Sequence, residues 1–421
     1  MLIPVADWHA VVQALVRPLP ARRLLLAEAE GCVLAESVRT RHALPPFDSS
    51  AMDGYAVRAV DVCDGDHTQP VVLRVIGCAP AGRPTDAVVG PGEAVRILTG
   101  GPLPAGADAV VPVEATDGGR VVVRVHGAAG PGRHVRRAGE DLALHDLVLA
   151  EGWVIGPGQA AAAAGAGYAD LLVVPRPRIA IISTGDELVE AGHPLNPGQL
   201  PDSNLVGLAA QVRLAGGVTS VTARCGDDAP ALRRLLHAAA RSADLIVTTG
   251  GVSAGEENDV VKAALSGSSV RFATVAVQPG APQAAGWVDG VPFLGLPGNP
   301  VAALVSFAVF IRPVVQTLRG LIVESGGSLV ELAAPVQPHR EKTRFVTARW
   351  AELGDRRVAV PDGRQGSHLV AGLADTDLLL EIAPGEEVVP AGKLVPALSL
   401  VGASDTPRKV RTTLAHRAAT P

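Results

Sequence analysis

Between residues 178 and 318, apolar runs of strand length alternate with segments of helical period, and this alternation limits the fold of the 421-residue chain more than any other feature. The runs at 179–182, 218–223, 245–247, 272–277 and 292–296 read as strands, and the segments near 205–214, 231–240, 260–265 and 301–318 read as helices. Asp202 or Ser203 can cap the first helix, and Asp228 followed by Pro230 can open the second. Strands alternating with helices build βαβ units and hence a parallel, doubly wound sheet. Ligands of such sheets bind in the crevice beyond the carboxyl ends of the strands.

Three glycine-bearing loops stand at those ends: Ser-Thr-Gly-Asp-Glu-Leu at 183–188, Thr-Thr-Gly-Gly-Val-Ser-Ala-Gly at 248–255 and Leu-Pro-Gly-Asn-Pro at 296–300. Glycine lets backbone approach a ligand closely, and the N–H groups of the following helix turn favour phosphate. One such loop reflects turn geometry alone, but three in one domain favour a phosphate site. Its expected binding residues are Ser183, Thr184, Gly185, Gly250, Gly251, Ser253, Pro297, Gly298, Asn299 and Pro300. Acids crowd the same loops: Asp186, Glu187, Asp227, Asp228, Glu256, Glu257 and Asp259. Carboxylates beside phosphate repel it unless a divalent cation lies between them, and oxygen ligands of this kind select Mg²⁺. Asp186, Glu187 and Asp259 are therefore the candidate metal ligands; Asp228 and Asp259 also suit helix capping.

The chain on either side has a different texture. A short amphipathic helix carries Trp8, Val11, Val12 and Leu15 and stops at Pro18 and Pro20. Short Val-rich runs at 71–76, 94–98, 109–113 and 120–125, broken by Gly, Pro and Asp-Gly, predict a small β domain. An Ala-rich helix is expected at 159–164, and short β runs resume after Gly320. Gly and Pro together supply 81 of the residues, well above the usual ~12%, which fits turns and loops and not a helical bundle. The expected domains are 1–45 with 142–175, 46–141, 176–322 and 323–405, followed by a tail at 406–421. The fold class is thus α/β plus β and multidomain: a doubly wound parallel-sheet domain, a β-rich insert and a C-terminal β-barrel-like domain.

Several function classes drop out. A net charge of −5 argues against a general nucleic-acid binder. The longest apolar run, 301–311, falls short of the ~18 residues that span a bilayer, and the N-terminus lacks a basic start and apolar signal core. The expectation is a cytoplasmic protein with no membrane partner. Cys32, Cys63, Cys78 and Cys225 lie far apart without a Cys-x-x-Cys, so neither a disulfide framework nor a zinc ribbon is expected. No Ser-His-Asp elbow, His-rich zinc motif or Walker loop is present.

Further motifs lie at 45–56 (Pro-Pro-Phe-Asp-Ser-Ser-Ala-Met-Asp-Gly-Tyr-Ala), 96–100 (Arg-Ile-Leu-Thr-Gly), 136–141 (Arg-Arg-Ala-Gly-Glu-Asp) and 365–368 (Gln-Gly-Ser-His). On spacing alone, Asp53-Gly54 reads equally well as a tight turn, and the arginines at 133–137 as an oxyanion holder or a solvated hairpin face. Together with the three glycine loops, in this order along nearly the whole chain, the set resembles the molybdopterin molybdenumtransferases of the MoeA and gephyrin E-domain type.

That resemblance implies an enzyme of molybdenum cofactor biosynthesis. Such an enzyme inserts molybdate into adenylylated molybdopterin, with Mg²⁺ as cofactor and release of AMP. It also implies an elongated homodimer with a shared active site and an adenylyltransferase that supplies the substrate. Carried over by position, the catalytic residues are Asp53, Thr99, Asp141, Glu187, Asp227 and Asp259. Pro297 and Pro300 shape the cleft, and Ser367 faces the oxyanion. The chain departs from the family where Lys-Pro-Gly-Lys-Pro is usual, with Gln278-Pro279-Gly280-Ala281-Pro282 in its place. The Gly-Arg-x-x-Phe-x-Arg motif is also altered, with Lys342 and Thr347 at the arginine positions, Arg344 and Arg349 nearby. Gly372 stands where serine is frequent. These losses of cationic side chains raise the alternative of a weakened paralogue that binds molybdopterin nucleotide as a carrier or scaffold.

Overall fold

The computed structural model describes residues 2–64, 68–252, 259–322, 327–363 and 366–400. They form two units, one holding the described residues of 2–22, 31–33 and 174–400, the other those of 23–30 and 34–173.

The first unit is built on a six-stranded sheet. In chain order its elements are α1 (Val5–Gln13), β1 (Arg178–Thr184), α2 (Ser203–Leu214), β2 (Val218–Cys225), α3 (Ala229–Ala240), β3 (Leu245–Thr249), α4 (Val260–Ala264), β4 (Arg271–Thr274), β5 (Pro282–Val288), β6 (Val291–Leu296) and α5 (Pro300–Ser306). The strand order is β2-β1-β3-β6-β5-β4. The first four strands are parallel, as the alternation predicts, whereas β5 runs antiparallel to both of its neighbours, β6 and β4, at one edge. Alternate residues of β1 serve opposite faces: Ile179 and Ile181 pack with Leu208 and Val212 of α2, Ala180 and Ile182 with Leu232 and Leu236 of α3. Asp202 caps α2, its Oδ1 accepting from the Leu205 N–H at 3.0 Å, and Asp228 caps α3 through Ala231 N–H at the same distance.

The apolar helix that starts at Pro300 runs on as a π-helical segment (Phe307–Ile311) and a last α-segment (Arg312–Leu318). Pro313 has no N–H to offer the carbonyl of Val309 four residues back. His9 of α1 fills that gap, its ring nitrogen 2.8 Å from Val309 O. Over Pro300–Leu318 this helix is long and apolar enough to cross a membrane, longer than the 301–311 run apparent in the sequence; 72% of its apolar window is buried, so it is a core helix. Trp8 and Val12 of α1 are buried in the same core, so α1 packs with the α/β sheet.

The C-terminal strands β7 (Ser328–Glu331), β8 (Thr343–Leu353), β9 (Arg356–Pro361), β10 (Leu378–Ile382) and β11 (Leu394–Ser399) make a second sheet in this unit. Residues Val277–Gln278, which leave the α/β sheet after β4, pair in parallel with Thr343 and Arg344 of β8. Phe345 and Leu379 reach into the core of the α/β sheet, so the two sheets share packing.

In the other unit a five-stranded sheet has the order Ala109–Pro112, Gly54–Val57, Glu93–Ile97, Val71–Ala79, Val122–Val125. Four of these strands match the Val-rich runs. The fifth, Gly54–Val57, opens on the Asp53-Gly54 pair that spacing reads as a turn, yet it lies one in from the sheet edge and is buried throughout. Gly54 is required by close approach, since a Cβ there would stand 1.9 Å from Val111 O. The Ala-rich helix spans Pro157–Gly165. None of the four cysteines forms a disulfide.

Candidate functional site

β1, β3 and β6 are neighbours in the sheet, so the loops that follow them emerge side by side. They line one cavity of about 1160 Å³, together with the loop after β2, the turn at 278–280 and the segment 366–373 of the C-terminal domain. Of the sequence-predicted residues, Thr184, Gly185, Glu187, Asp227, Gly250, Gly251, Asp259, Pro297, Gly298, Asn299, Pro300 and Ser367 line it. Ser253, like Glu256, Glu257 and Gln365, lies outside the described residues.

The loops pack backbone to backbone. Gly250 has φ +91°, and a Cβ on it would lie 2.6 Å from Thr184 O; a Cβ on Gly298 would lie 3.3 Å from Gly250 Cα. The Glu187 carboxylate folds over Gly185, where a Cβ would meet Glu187 Oε2 at 2.4 Å. Asn299 Nδ2 donates to Ser367 Oγ at 3.0 Å, and Val301 N–H donates to Ser367 O at 2.9 Å. Ser367 is thereby held against the start of α5.

Two predicted residues take other places. Ser183 is fully buried and donates its hydroxyl to Asp202 Oδ2 at 2.7 Å, so it supports the cap of α2 and does not line the cavity. Asp186 Oδ1 accepts from the Asp227 N–H at 2.9 Å, fixing the loop after β2, and it too is absent from the lining. Among the described residues no three His, Cys, Asp or Glu side chains converge as a ready metal cluster.

Asp53, Thr99 and Asp141 belong to the other unit, where the first two meet. Asp53 Oδ1 accepts from Thr99 N–H at 2.7 Å and from Thr99 Oγ1 at 2.8 Å, which holds the exposed carboxyl below the usual carboxylate range. Asp141 N–H donates to Leu44 O at 3.0 Å. Arg137, a candidate oxyanion holder, is committed to Asp48 at 2.6 Å.

Asn204 and Asp362 carry no signal in the sequence reading, and Thr249, Arg344 and His368 stand in its motifs without a site role, yet all five line the cavity. The run Asp202-Ser203-Asn204 reads as capping alone, although an Asn buried at the carboxyl edge of the sheet is a usable signal. Arg344 and Thr347 line the cavity, whereas Lys342 and Arg349 do not. The described lining thus sets Glu187, Asp202, Asp227, Asp259 and Asp362 against Arg344 and, when protonated, His368.

Comparison with known proteins agrees with this architecture. The family model for the MoeA N-terminal region (domain I and II) matches residues 3–167, that for a probable molybdopterin binding domain 180–317, and that for the MoeA C-terminal region (domain IV) 330–400. The chain is 42% identical to molybdopterin molybdenumtransferase 2 of Mycobacterium tuberculosis, over 92% of this chain and 97% of that protein. It is 33% identical to the molybdopterin molybdenumtransferase of Bacillus subtilis, over 87% and 86%. A solved molybdopterin biosynthesis MoeA protein from Pyrococcus horikosii superposes with a TM-score of 0.76 at 30% identity, covering 96% of this chain and all of that one. Fold, loop set and relatives agree: the chain belongs to the MoeA family of molybdopterin molybdenumtransferases.

Proposed function

We propose that this cavity inserts molybdate into adenylylated molybdopterin, releasing AMP, and that the reaction requires Mg²⁺. The observation that carries the reading is the convergence of three glycine loops with Glu187, Asp227 and Asp259 on one cavity. Its volume of about 1160 Å³ suits a ligand longer than a mononucleotide.

The donor set fits a hard cation. Mg²⁺ is usually held by one or two carboxylates and completed by substrate phosphate oxygens, so no dedicated protein cage is needed. Glu187, Asp227 and Asp259 would hold it, and bound Mg²⁺ would neutralise phosphate charge in a cavity otherwise dominated by acids. The backbone at Gly251 and Gly298 receives the phosphates. Ser367, steadied by Asn299, and Arg344 supply the donors for the molybdate oxygens. Hydrolysis of the phosphoanhydride by water, which releases AMP and leaves the pterin its own phosphate, makes metal insertion effectively irreversible.

We also propose a homodimer in which the partner subunit's Asp53, the partner subunit's Thr99 and the partner subunit's Asp141 complete the cavity, with an adenylyltransferase supplying the substrate. Mixing Asp53→Asn and Glu187→Gln chains should then restore turnover that neither variant has alone. The carrier reading has weaker support, because Glu187, Asp227 and Asp259 all remain on the cavity. The deciding assay supplies adenylylated molybdopterin, molybdate and Mg²⁺. The expected result is AMP and active cofactor, both lost with EDTA; bound substrate without AMP release would refute the proposal.

A further inference from the structure

Three loops from three strands form one wall of a cavity only if their spacing is fixed; beyond the strand ladder and the Gly250 N–H bond to Leu296 O (3.1 Å), one buried polar cluster fixes it. Asn204, in the first turn of α2, is 7% exposed. Its Nδ2 donates to Thr249 Oγ1 at 3.0 Å and to Gly298 O at 2.6 Å. Thr249 Oγ1 donates in turn to Pro297 O at 2.9 Å, and Thr184 Oγ1 donates to Thr249 O at 3.4 Å. The ends of β1, β3 and β6 are therefore tied together through one amide and two hydroxyls.

The amide cannot turn over. Thr249 Oγ1 has given its own proton to Pro297 O, and Gly298 O can only accept, so both hydrogens of Nδ2 are committed. Asn204 Oδ1 is left buried with no partner among the described residues. A buried acceptor without a donor lowers stability; an apolar side chain of similar size would remove that loss but leave Gly298 O without its Asn204 donor. What the amide contributes is the link between the loops, with its own Oδ1 left unpaired.

We infer that Asn204, acting through Thr249, is the positioning residue of the cavity: it sets the spacing of the Gly250 and Pro297–Gly298 backbones that receive the ligand. The choice of ligand in the test rests on the function proposed above, but the architecture does not.

The experiment uses the full chain with Asn204→Ala, Thr249→Val, Thr249→Ser and the Asn204→Ala/Thr249→Val double variant. Hydrogen exchange without ligand should rise at least about tenfold in peptides covering 248–252 and 296–300, a local loosening larger than the melting temperature, lowered by only a few degrees, would account for. The dissociation constant for adenylylated molybdopterin with Mg²⁺ should rise about 10- to 100-fold, as displaced binding groups predict. Thr249→Ser, which keeps the hydroxyl, should restore both readouts. The double variant should be no worse than the more affected single, because the two residues form one linkage. Unchanged exchange in those peptides, or additive effects, would overturn the inference. Should Asn204→Ala fail to fold, Thr249→Val against Thr249→Ser tests the same linkage from its other end. Loosened loops in a chain whose wild type does not bind the nucleotide would refute the proposed substrate and leave the positioning role standing.

Discussion

The side-chain amide of Asn299 donates to the hydroxyl of Ser367 across 3.0 Å, joining the loop before α5 to the C-terminal domain. With Val301 N–H on Ser367 O, this sets one short segment of the second sheet against the mouth of the first. Ser367→Ala keeps the backbone link and removes the hydroxyl. Because this hydrogen bond is exposed to solvent, the stability change should stay below about 1 kcal/mol. Turnover at limiting molybdate should fall about tenfold, measured as AMP release against molybdate concentration.

Glu187→Gln and Asp259→Asn remove one negative charge each from the cavity with little change in shape. AMP release should fall more than about 100-fold in each, with circular dichroism and melting temperature near wild type. Wild-type turnover would show that these acids are only structural.

Gln278 lines the cavity and Ala281 does not. Lysine restored at both positions should raise molybdate affinity, and Gln278→Lys should account for most of it. A charge-assisted contact contributes ~1.5–3 kcal/mol, which is more than tenfold in dissociation constant by calorimetry.

The Asp53 carboxyl is held below its usual range first by the Thr99 N–H and then by the Thr99 hydroxyl. Thr99→Ala keeps the first donor and loses the second. The titration midpoint of Asp53, followed by NMR, should move up toward the ordinary aspartate value and remain below it.

Burial pushes the His9 imidazole below its usual pKa, against the opposing pull of Val309 O. The folded state therefore binds a proton less readily than the unfolded chain. Stability is full above the ordinary histidine value near 6.5 and is lost as pH falls from there toward the lowered folded value. Thermal melts from about pH 7.5 to about pH 5 should show this loss, and His9→Gln should flatten it.

The three loops are legible because glycine, proline and acids punctuate a strand–helix alternation, and strand adjacency does the rest. β5 is not: Gln283, Ala284, Ala285 and Gly286 carry none of the branched or aromatic side chains that mark a strand, and the sheet holds it by β6 on one side and β4 on the other. Asp53-Gly54 shows the opposite failure, since a strong turn pair opens a buried strand where Val111 O leaves room only for glycine. Ser183 and Asp186 sit in the right loop but point away from its ligand side, and a motif cannot tell orientation. Asn204 is hidden because a residue beside a cap looks like part of the cap.

A defect that proline makes near residue 309 is repaired by a histidine three hundred positions earlier. During synthesis the N-terminal segment leaves the ribosome first and must wait, unpaired, while the whole of the other unit is made. Its docking ground, the π-helical stretch beside Thr317 and its bond to Gln13, exists only after the last helix of the α/β sheet has emerged. Closure of this half of the molecule is thus a late event in the life of the nascent chain.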